Sequence, residues 1–334
     1  MPPTPDSDPA RMKIAVVGGC GYIGAHMVRV LVEQGLDVAV LDNLSTGHRE
    51  AVAAPIVEAD LRDPQALDAY FADVRPDAVM HFAAKALVAE SVAQPALYYD
   101  NNVVGTLRLL QAMQRHGVAR LVFSSTCATY GVPTRTPIDE SHPQAPINPY
   151  GASKWMCERM IADACAAHGL RAVSLRYFNA AGASPDGSVG ESHDPETHLI
   201  PNALRAAAGS GPPLRVHGRD YPTPDGTCVR DYVHVLDLAD AHLRALRYLE
   251  RNAGAQAFNL GSESGHSVLQ VLEAVHRVVG FEVPFEWADR RPGDPPVLVA
   301  DSSQARRELG WTPRYRQIEE IVETAWRWHR SPRY

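Results

Sequence analysis

The chain has 334 residues, of which 45% are hydrophobic and 21% charged, the balance of a soluble globular protein with room for one large domain or two unequal ones. A formal net charge of -7, with no basic run longer than Arg290-Arg291 or Arg306-Arg307, argues against a nucleic-acid or anionic-membrane surface. Cys20, Cys127, Cys157, Cys165 and Cys228 are odd in number and form no C-x-x-C pair, which speaks against a disulfide framework or a zinc site and for a reducing cytoplasm.

The opening "MPPTPDSDPAR" carries no apolar run, so residues 1–11 read as a short disordered tail rather than a signal peptide or anchor. "KIAVVGG" is then a short continuous apolar run, the mark of a strand buried on both faces. "AHMVRVLVEQG" has helical spacing and stops at Gly35. "LDVAVLDN" and "APIVEAD" read as a second and a third strand, and "DPQALDAYFADV" as a helix capped by Asp63 with Pro64 at its first position. "DAVMHFAA" is a fourth strand, followed by a long helix from about Ala96 to His116. "ARLVFSST" is the fifth strand, "NPYGASKWMCERM" opens a helix, and "RAVSLRYFNAAG" is a sixth strand.

This alternation predicts a doubly wound parallel α/β sheet over residues 12–182. Past Gly182 the pattern breaks into Pro/Gly-rich loops, so residues 183–334 read as a smaller C-terminal domain. A segment at about 230–262 ("DYVHVLDLADAHLRALRYLE", "AFNLGSE") is expected to return to the sheet as helix and strand. No stretch reaches the ~18 apolar residues of a membrane span.

"GGCGYIG" sets Gly18, Gly21 and Gly24 between the first strand and the first helix, where a tight turn lets backbone approach a pyrophosphate at a helix N-terminus. Asp42 ends the second strand at the distance where a carboxylate receives a ribose 2′-hydroxyl, which favours NAD. His48 and Arg49 leave NADP open, and Asp60, ending the third strand, is in range of the adenine.

In that setting Tyr150 and Lys154, four residues apart on one helical face, fit a base for hydride chemistry at an alcohol carbon. A free phenol has a pKa near ~10, and a neighbouring ammonium together with an oxidised nicotinamide favours its anion. A hydroxyl to polarise the same oxygen comes from Ser124, Ser125 or Thr126; the residues alone do not choose among them.

The stretches "GGCGYIG", "LDNLSTGHRE", "HFAAKALVAESV", "YYDNNVVGTLRLL", "FSSTCATYG", "PYGASK", "LRYFNAAGA", "RDYPTPDGTCVRDYVHVLDLADAH", "FNLGSESGHSVLQV" and "RRPGDPPVLVAD" together resemble the UDP-glucose 4-epimerases, which are extended short-chain dehydrogenase/reductases. The resemblance runs from about Met12 to Trp328. It implies a Rossmann fold, NAD as cofactor, a UDP-sugar as substrate and no metal. It also implies a homodimer paired through the helices around Asn101–His116 and Tyr150–His168. Tyr150 then takes the place of the base, Lys154 that of its partner and Thr126 that of the catalytic hydroxyl. The implied NAD pocket is Gly18, Gly21, Tyr22, Ile23, Gly24, Asp42, Asn43, Asp60, Leu61, Phe82, Ala83, Ala84, Asn101, Ser124, Tyr150, Lys154 and Phe178. Implied substrate contacts are Thr126, Tyr150, Asn179, His198, Leu199, Arg215, Val216, His217, Arg230, Arg291, Asp294 and Leu298, with Arg230 and Arg291 suited to a diphosphate.

Three positions depart from the family pattern. Lys85 stands one place early, with Ala86 at the position where a lysine is expected; His198 stands where asparagine is frequent; Leu298 replaces a bulky tyrosine that limits the sugar pocket. The last leaves UDP-GlcNAc/UDP-GalNAc and UDP-xylose/UDP-arabinose as alternative substrates. A nucleotide-sugar dehydratase needs an acid beside the catalytic hydroxyl, where this chain has Cys127. A non-catalytic NAD sensor predicts loss of Tyr150, Lys154 or the hydroxyl, and all three are present.

Overall fold

A computed structural model describes residues 12–291 and 294–334; the tail expected at 1–11 lies outside them. The first half runs β1 (Lys13–Val17), α1 (Tyr22–Glu33), β2 (Asp37–Asp42), β3 (Ile56–Glu58), α2 (Pro64–Val74), β4 (Ala78–His81), α3 (Val88–Ala93), α4 (Pro95–Tyr98), α5 (Gly105–Arg115), β5 (Arg120–Thr126), α6 (Pro149–His168) and β6 (Arg171–Tyr177). The second half runs β7 (Asn179–Ala181), α7 (Leu199–Ala207), β8 (Leu214–His217), β9 (Val229–His234), α8 (Val235–Tyr248), β10 (Gly254–Leu260), β11 (Gly265–Ser267), α9 (Val268–Val279), β12 (Phe285–Ala288), β13 (Val297–Leu298), α10 (Ser303–Leu309) and α11 (Ile318–His329).

Seven strands make one parallel sheet in the order β10-β6-β5-β4-β1-β2-β3. Its strands are continuous apolar runs because both faces are covered. In β1, Ile14 and Val16 enter one core with Met27, Leu238 and Trp311, while Ala15 and Val17 enter the opposite core with Phe71, Leu109 and Ile161. The strand order reverses between β1 and β4, so a crevice opens at their carboxyl ends. β10 joins β6 in parallel register from Gly254–Arg171 to Leu260–Tyr177. β7, β9, β11 and β13 form a second sheet, β8 and β12 a two-stranded one, and α7, α9 and α11 share an apolar core beside them.

Three sequence expectations change. The helix foreseen at 96–116 is broken: α4 passes into a π-helical segment at Tyr99–Val104 before α5. The sixth strand stops at Tyr177, and after Phe178 the chain changes sheets, with β7 pairing β9. "DYVH" is strand, not helix, and α8 begins only at Val235, where His234 Nδ1 accepts the Leu236 N–H at 3.1 Å. Among the described residues no helix is long and apolar enough to cross a membrane.

Candidate active site

The three glycines of the first turn serve different needs. Gly18 has φ +78°, and a Cβ there would lie 2.4 Å from the Ala83 nitrogen, where β1 and β4 diverge. A Cβ on Gly24 would lie 2.1 Å from the Gly18 carbonyl oxygen, so this glycine lets α1 sit down on the turn. Gly21 has φ −76°, open to any residue, and a Cβ there meets nothing closer than the Gly18 oxygen at 3.6 Å. The chain itself gives Gly21 no reason to be glycine. A side chain there would fill the cradle at the α1 N-terminus, where a diphosphate is held by N–H groups and the helix dipole. The residues therefore fit a dinucleotide. We expect Gly24→Ala to abolish folding and Gly21→Ala to leave the melting temperature within about 3 °C while stripping the dinucleotide. Cofactor released by denaturing each purified variant measures the difference.

Around this turn Asp42 is almost fully buried, its carboxylate accepting the Cys20 N–H at 2.9 Å and the Leu44 N–H at 2.8 Å. Tyr22 donates its hydroxyl to the Gly182 carbonyl at 2.6 Å, and Ile23 packs on the core. Asp60 accepts Asn43 Nδ2 at 3.0 Å and the Arg62 guanidinium at 2.8 Å; Arg62 holds its carboxyl well below the usual range. Arg49 is paired with Glu58 at 2.7 Å, and His48 stacks on Tyr334 with centroids 4.8 Å apart. Those engagements turn both candidate 2′-phosphate partners to other work. Leu61 is buried; Phe82, at the end of β4, packs on the His242 ring 4.7 Å away, with Ala83 and Ala84 following.

Asn148 and Pro149 fix the start of α6. The Asn148 side chain accepts the Gly151 N–H at 2.8 Å, and proline occupies the first helical position. Tyr150 and Lys154 then fall one turn apart, facing the end of β5. There the three hydroxyls separate. Ser124 Oγ bonds the Tyr177 hydroxyl, and Ser125 Oγ donates to Glu158 at 2.5 Å. Thr126 Oγ1 accepts the Ala128 N–H at 3.1 Å, and of the three hydroxyls it is the one that draws the Tyr150 phenol down against burial, so Thr126 is the one coupled to the candidate base.

The tuning expected of Lys154 is not found in the polypeptide by itself. Burial pushes the Tyr150 phenol up to about 12, the Thr126 hydrogen bond opposing it, and burial pushes Lys154 down to about 8. Lys154 Nζ instead donates to the Ser124 carbonyl at 2.8 Å and lies 4.7 Å from the Phe123 ring centroid. A cationic ring docked against Tyr150 would stabilise its anion.

Sequence reasoning missed Asn102. Its amide, almost fully buried in the π-helical segment, donates to Ser153 Oγ of α6 and to the Lys85 carbonyl, each at 3.0 Å, and accepts the Lys85 N–H at 2.8 Å. Asn101 Nδ2 donates to it at 3.0 Å. The extra residue of the π turn re-aims this pair, a device often found at functional sites. Lys85 Nζ itself lies 3.8 Å from Glu90.

On the far side, Leu298 packs against a cluster of Cys127, Tyr130, Ile138, Phe178 and Ala300, which sets it beside the residue that follows Thr126. It pairs in register with Arg230. The Arg230 guanidinium is held by the Val229 carbonyl at 2.7 Å and by Asp294. Asn179 opens β7. β8 carries Arg215, Val216 and His217: Val216 is core, His217 Nδ1 meets the Asp289 carbonyl at 3.0 Å, and Arg215 is exposed, as is Arg291. His198 and Leu199 stand at the α7 N-terminus, where His198 Nδ1 faces Glu191 at 2.6 Å and Glu196 at 2.9 Å. These two acids, and the buried Tyr221 hydroxyl with no partner among the described residues, carried no signal in the sequence.

A doubly wound sheet with a glycine turn at its switch point and a Thr-Tyr-Lys trio beside it defines a dinucleotide-binding protein of the Rossmann class. The model of the NAD dependent epimerase/dehydratase family matches residues 14–261, and the chain belongs to that family. It is 52% identical over 322 residues to a UDP-glucose 4-epimerase of Lacticaseibacillus casei, covering 96% of this chain and 97% of that protein. It is 53% identical over 325 residues to one of Streptococcus mutans, covering 96% and 97%. The crystal structure of UDP-glucose 4-epimerase from Brucella ovis in complex with NAD superposes with a TM-score of 0.92 at 50% identity, covering 94% of this chain and 97% of that one.

Proposed function

We propose that this chain interconverts UDP-glucose and UDP-galactose by epimerisation at C4, with NAD held throughout. The observation that carries the reading is the Thr126–Tyr150 pair beside a glycine turn that fits a dinucleotide, in a chain half identical to UDP-glucose 4-epimerases along nearly its full length. NAD supplies a reversible hydride acceptor. Tyr150 removes the proton of the sugar 4-hydroxyl as that carbon becomes a ketone, and Thr126 donates to the same oxygen. Lys154, fixed on the Ser124 carbonyl, holds the ribose side of the cofactor. With the hydride given back to the opposite face of C4 once the keto sugar has turned over, Tyr150 would return the proton to the same oxygen, so the cycle closes with no net oxidation.

Of the remaining residues, we assign Gly18, Gly21, Tyr22, Ile23, Gly24, Asp42, Asn43, Leu61 and Phe82 to the cofactor side, and Asn179, His198, Leu199, Arg230 and Leu298 to the nucleotide sugar. Arg230 suits a diphosphate because its guanidinium is partly buried and already oriented by Asp294. The exposed side chains Val88, Val92, Leu107, Trp155 and Met156 on α3, α5 and α6 support a homodimer through that face. Five buried free thiols suit the cytoplasm, where the reaction serves galactose metabolism.

The test is purified protein without added NAD, offered UDP-galactose and UDP-GalNAc separately, with each 4-epimer quantified. The expected result is conversion of UDP-galactose, with UDP-GalNAc at least about tenfold slower because Leu298 is branched and packed against Phe178 and Cys127. No conversion of UDP-galactose, with or without NAD supplied, would sink the assignment.

A further inference from the structure

The loop between β7 and α7 holds four side chains that the reaction does not use directly. Glu191, His193, Glu196 and His198 bring one ligand atom each within 4.8 Å of one another. The two carboxylates are buried, with side-chain exposures of 7% and 1%. Glu196 accepts the backbone N–H groups of Thr197 and His198, each at 2.8 Å, so it fixes the turn that leads into α7 as well as facing the imidazole. Both contacts to His198 are made at Nδ1, on the buried edge of the ring, while the side chain remains 46% exposed. His193 Nδ1 lies 3.2 Å from Glu191, and its ring meets the Tyr22 ring edge-on with centroids 6.2 Å apart. Tyr22 belongs to the glycine turn.

We propose that Glu191 and Glu196 are positioning residues: they grip Nδ1 of His198 so that Nε2–H offers the substrate's diphosphate one fixed, cationic donor, and His193 ties that grip to Tyr22 at the cofactor turn. This rests on the reading of the site as one for a nucleoside-diphosphate sugar. An asparagine at position 198 needs no such support, because its amide donates at every pH; an imidazole donates as a cation only while protonated. The two carboxylates lift His198 to about 10 and His193 to about 9, against burial. The other groups facing the cluster are Tyr22, Tyr334, Arg205 and His329. Since the folded value lies above the ordinary one of ~6.5, the charge is present at neutral pH and disappears only as pH rises through about 10.

The experiment measures UDP affinity of the NAD-loaded enzyme by calorimetry, and KM and kcat for UDP-galactose, from about pH 7 to about pH 9, each variant compared with wild type at the same pH so that the ionisation of UDP itself cancels. Wild-type affinity is expected to stay level. Glu196→Gln is expected to match wild type most closely near pH 7 and to lose about tenfold in UDP affinity as the pH rises to about 9, with the loss in KM rather than kcat. Glu191→Gln does the same and serves if Glu196→Gln fails to fold. In a His198→Asn background either change is expected to cost less than about twofold. A loss equal at all pH values, or equal in the His198→Asn background, would overturn the grip, as would a stoichiometric divalent metal in the purified protein. Should the wild type bind UDP in this manner yet leave UDP-galactose unchanged, the epimerase reading fails and the grip stands.

Discussion

Tyr150→Phe is expected to cut UDP-galactose turnover by about a thousandfold while the protein keeps its dinucleotide. The phenol is the group coupled to Thr126 that suits a base, and removing its oxygen leaves the 4-hydroxyl proton without that acceptor. Lys154 does not substitute, because its ammonium is committed to the Ser124 carbonyl. Cofactor retention is expected because the ring that remains keeps its edge-on contact with Tyr98, centroids 6.5 Å apart, and Asn148 still caps α6. Turnover by epimer quantification and dinucleotide content after denaturation are read on the same preparation. A variant keeping more than about a tenth of wild-type turnover would remove Tyr150 from the role of base.

Glu158→Ala is expected to lower the melting temperature by roughly 5 °C, through structure rather than chemistry. Glu158 lies on the buried side of α6, directly under the catalytic turn. It accepts Arg176 Nη2 at 2.6 Å and Nε at 2.9 Å, Ser125 Oγ at 2.5 Å and Gln144 Nε2 at 3.0 Å. Arg176 in turn donates to the Tyr130 hydroxyl at 2.9 Å, and Tyr130 to Asn259 at 2.7 Å. Truncating the acid strands a buried guanidinium, at a cost of about 3–5 kcal/mol. Removing both ends, as Glu158→Leu with Arg176→Met, is expected to recover most of the loss, since the pair's attraction mainly offsets its own desolvation. A single-variant shift under about 2 °C would show that water reaches Arg176.

What the sequence made legible followed from periodicity and from short-range geometry. Continuous apolar runs gave away strands covered on both faces, and the Asn-Pro start fixed the phase that puts Tyr150 and Lys154 together. The choice among Ser124, Ser125 and Thr126 was hidden because both faces of β5 are buried, so alternation sends Ser125 to Glu158 without leaving any polarity pattern. The π turn at Tyr99–Val104 was hidden too, since one inserted residue barely disturbs a 3.6-residue period. At Phe178 the apolar run continues while the chain changes sheets; only the partner strand, β9, some fifty residues later, decides that. The Glu191–His198 group sits in a loop with no period to read. The pairing of Tyr150 with Lys154 was read as direct charge tuning, and the structure spends that ammonium on a backbone carbonyl.

The placement of β10 has a cost paid on the ribosome. The outer edge of β6, Arg171–Tyr177, is sealed only by Gly254–Leu260. At about 5–20 residues per second, a nascent chain carries that edge open for roughly 4–17 s while the segment facing the nucleotide sugar is being made. The row of unpaired N–H and C=O groups is an invitation to any other extended chain nearby. Translation stalled short of residue 254 therefore yields not a smaller working protein but a sheet with one raw seam, and such truncated chains are the natural clients of the cell's chaperones.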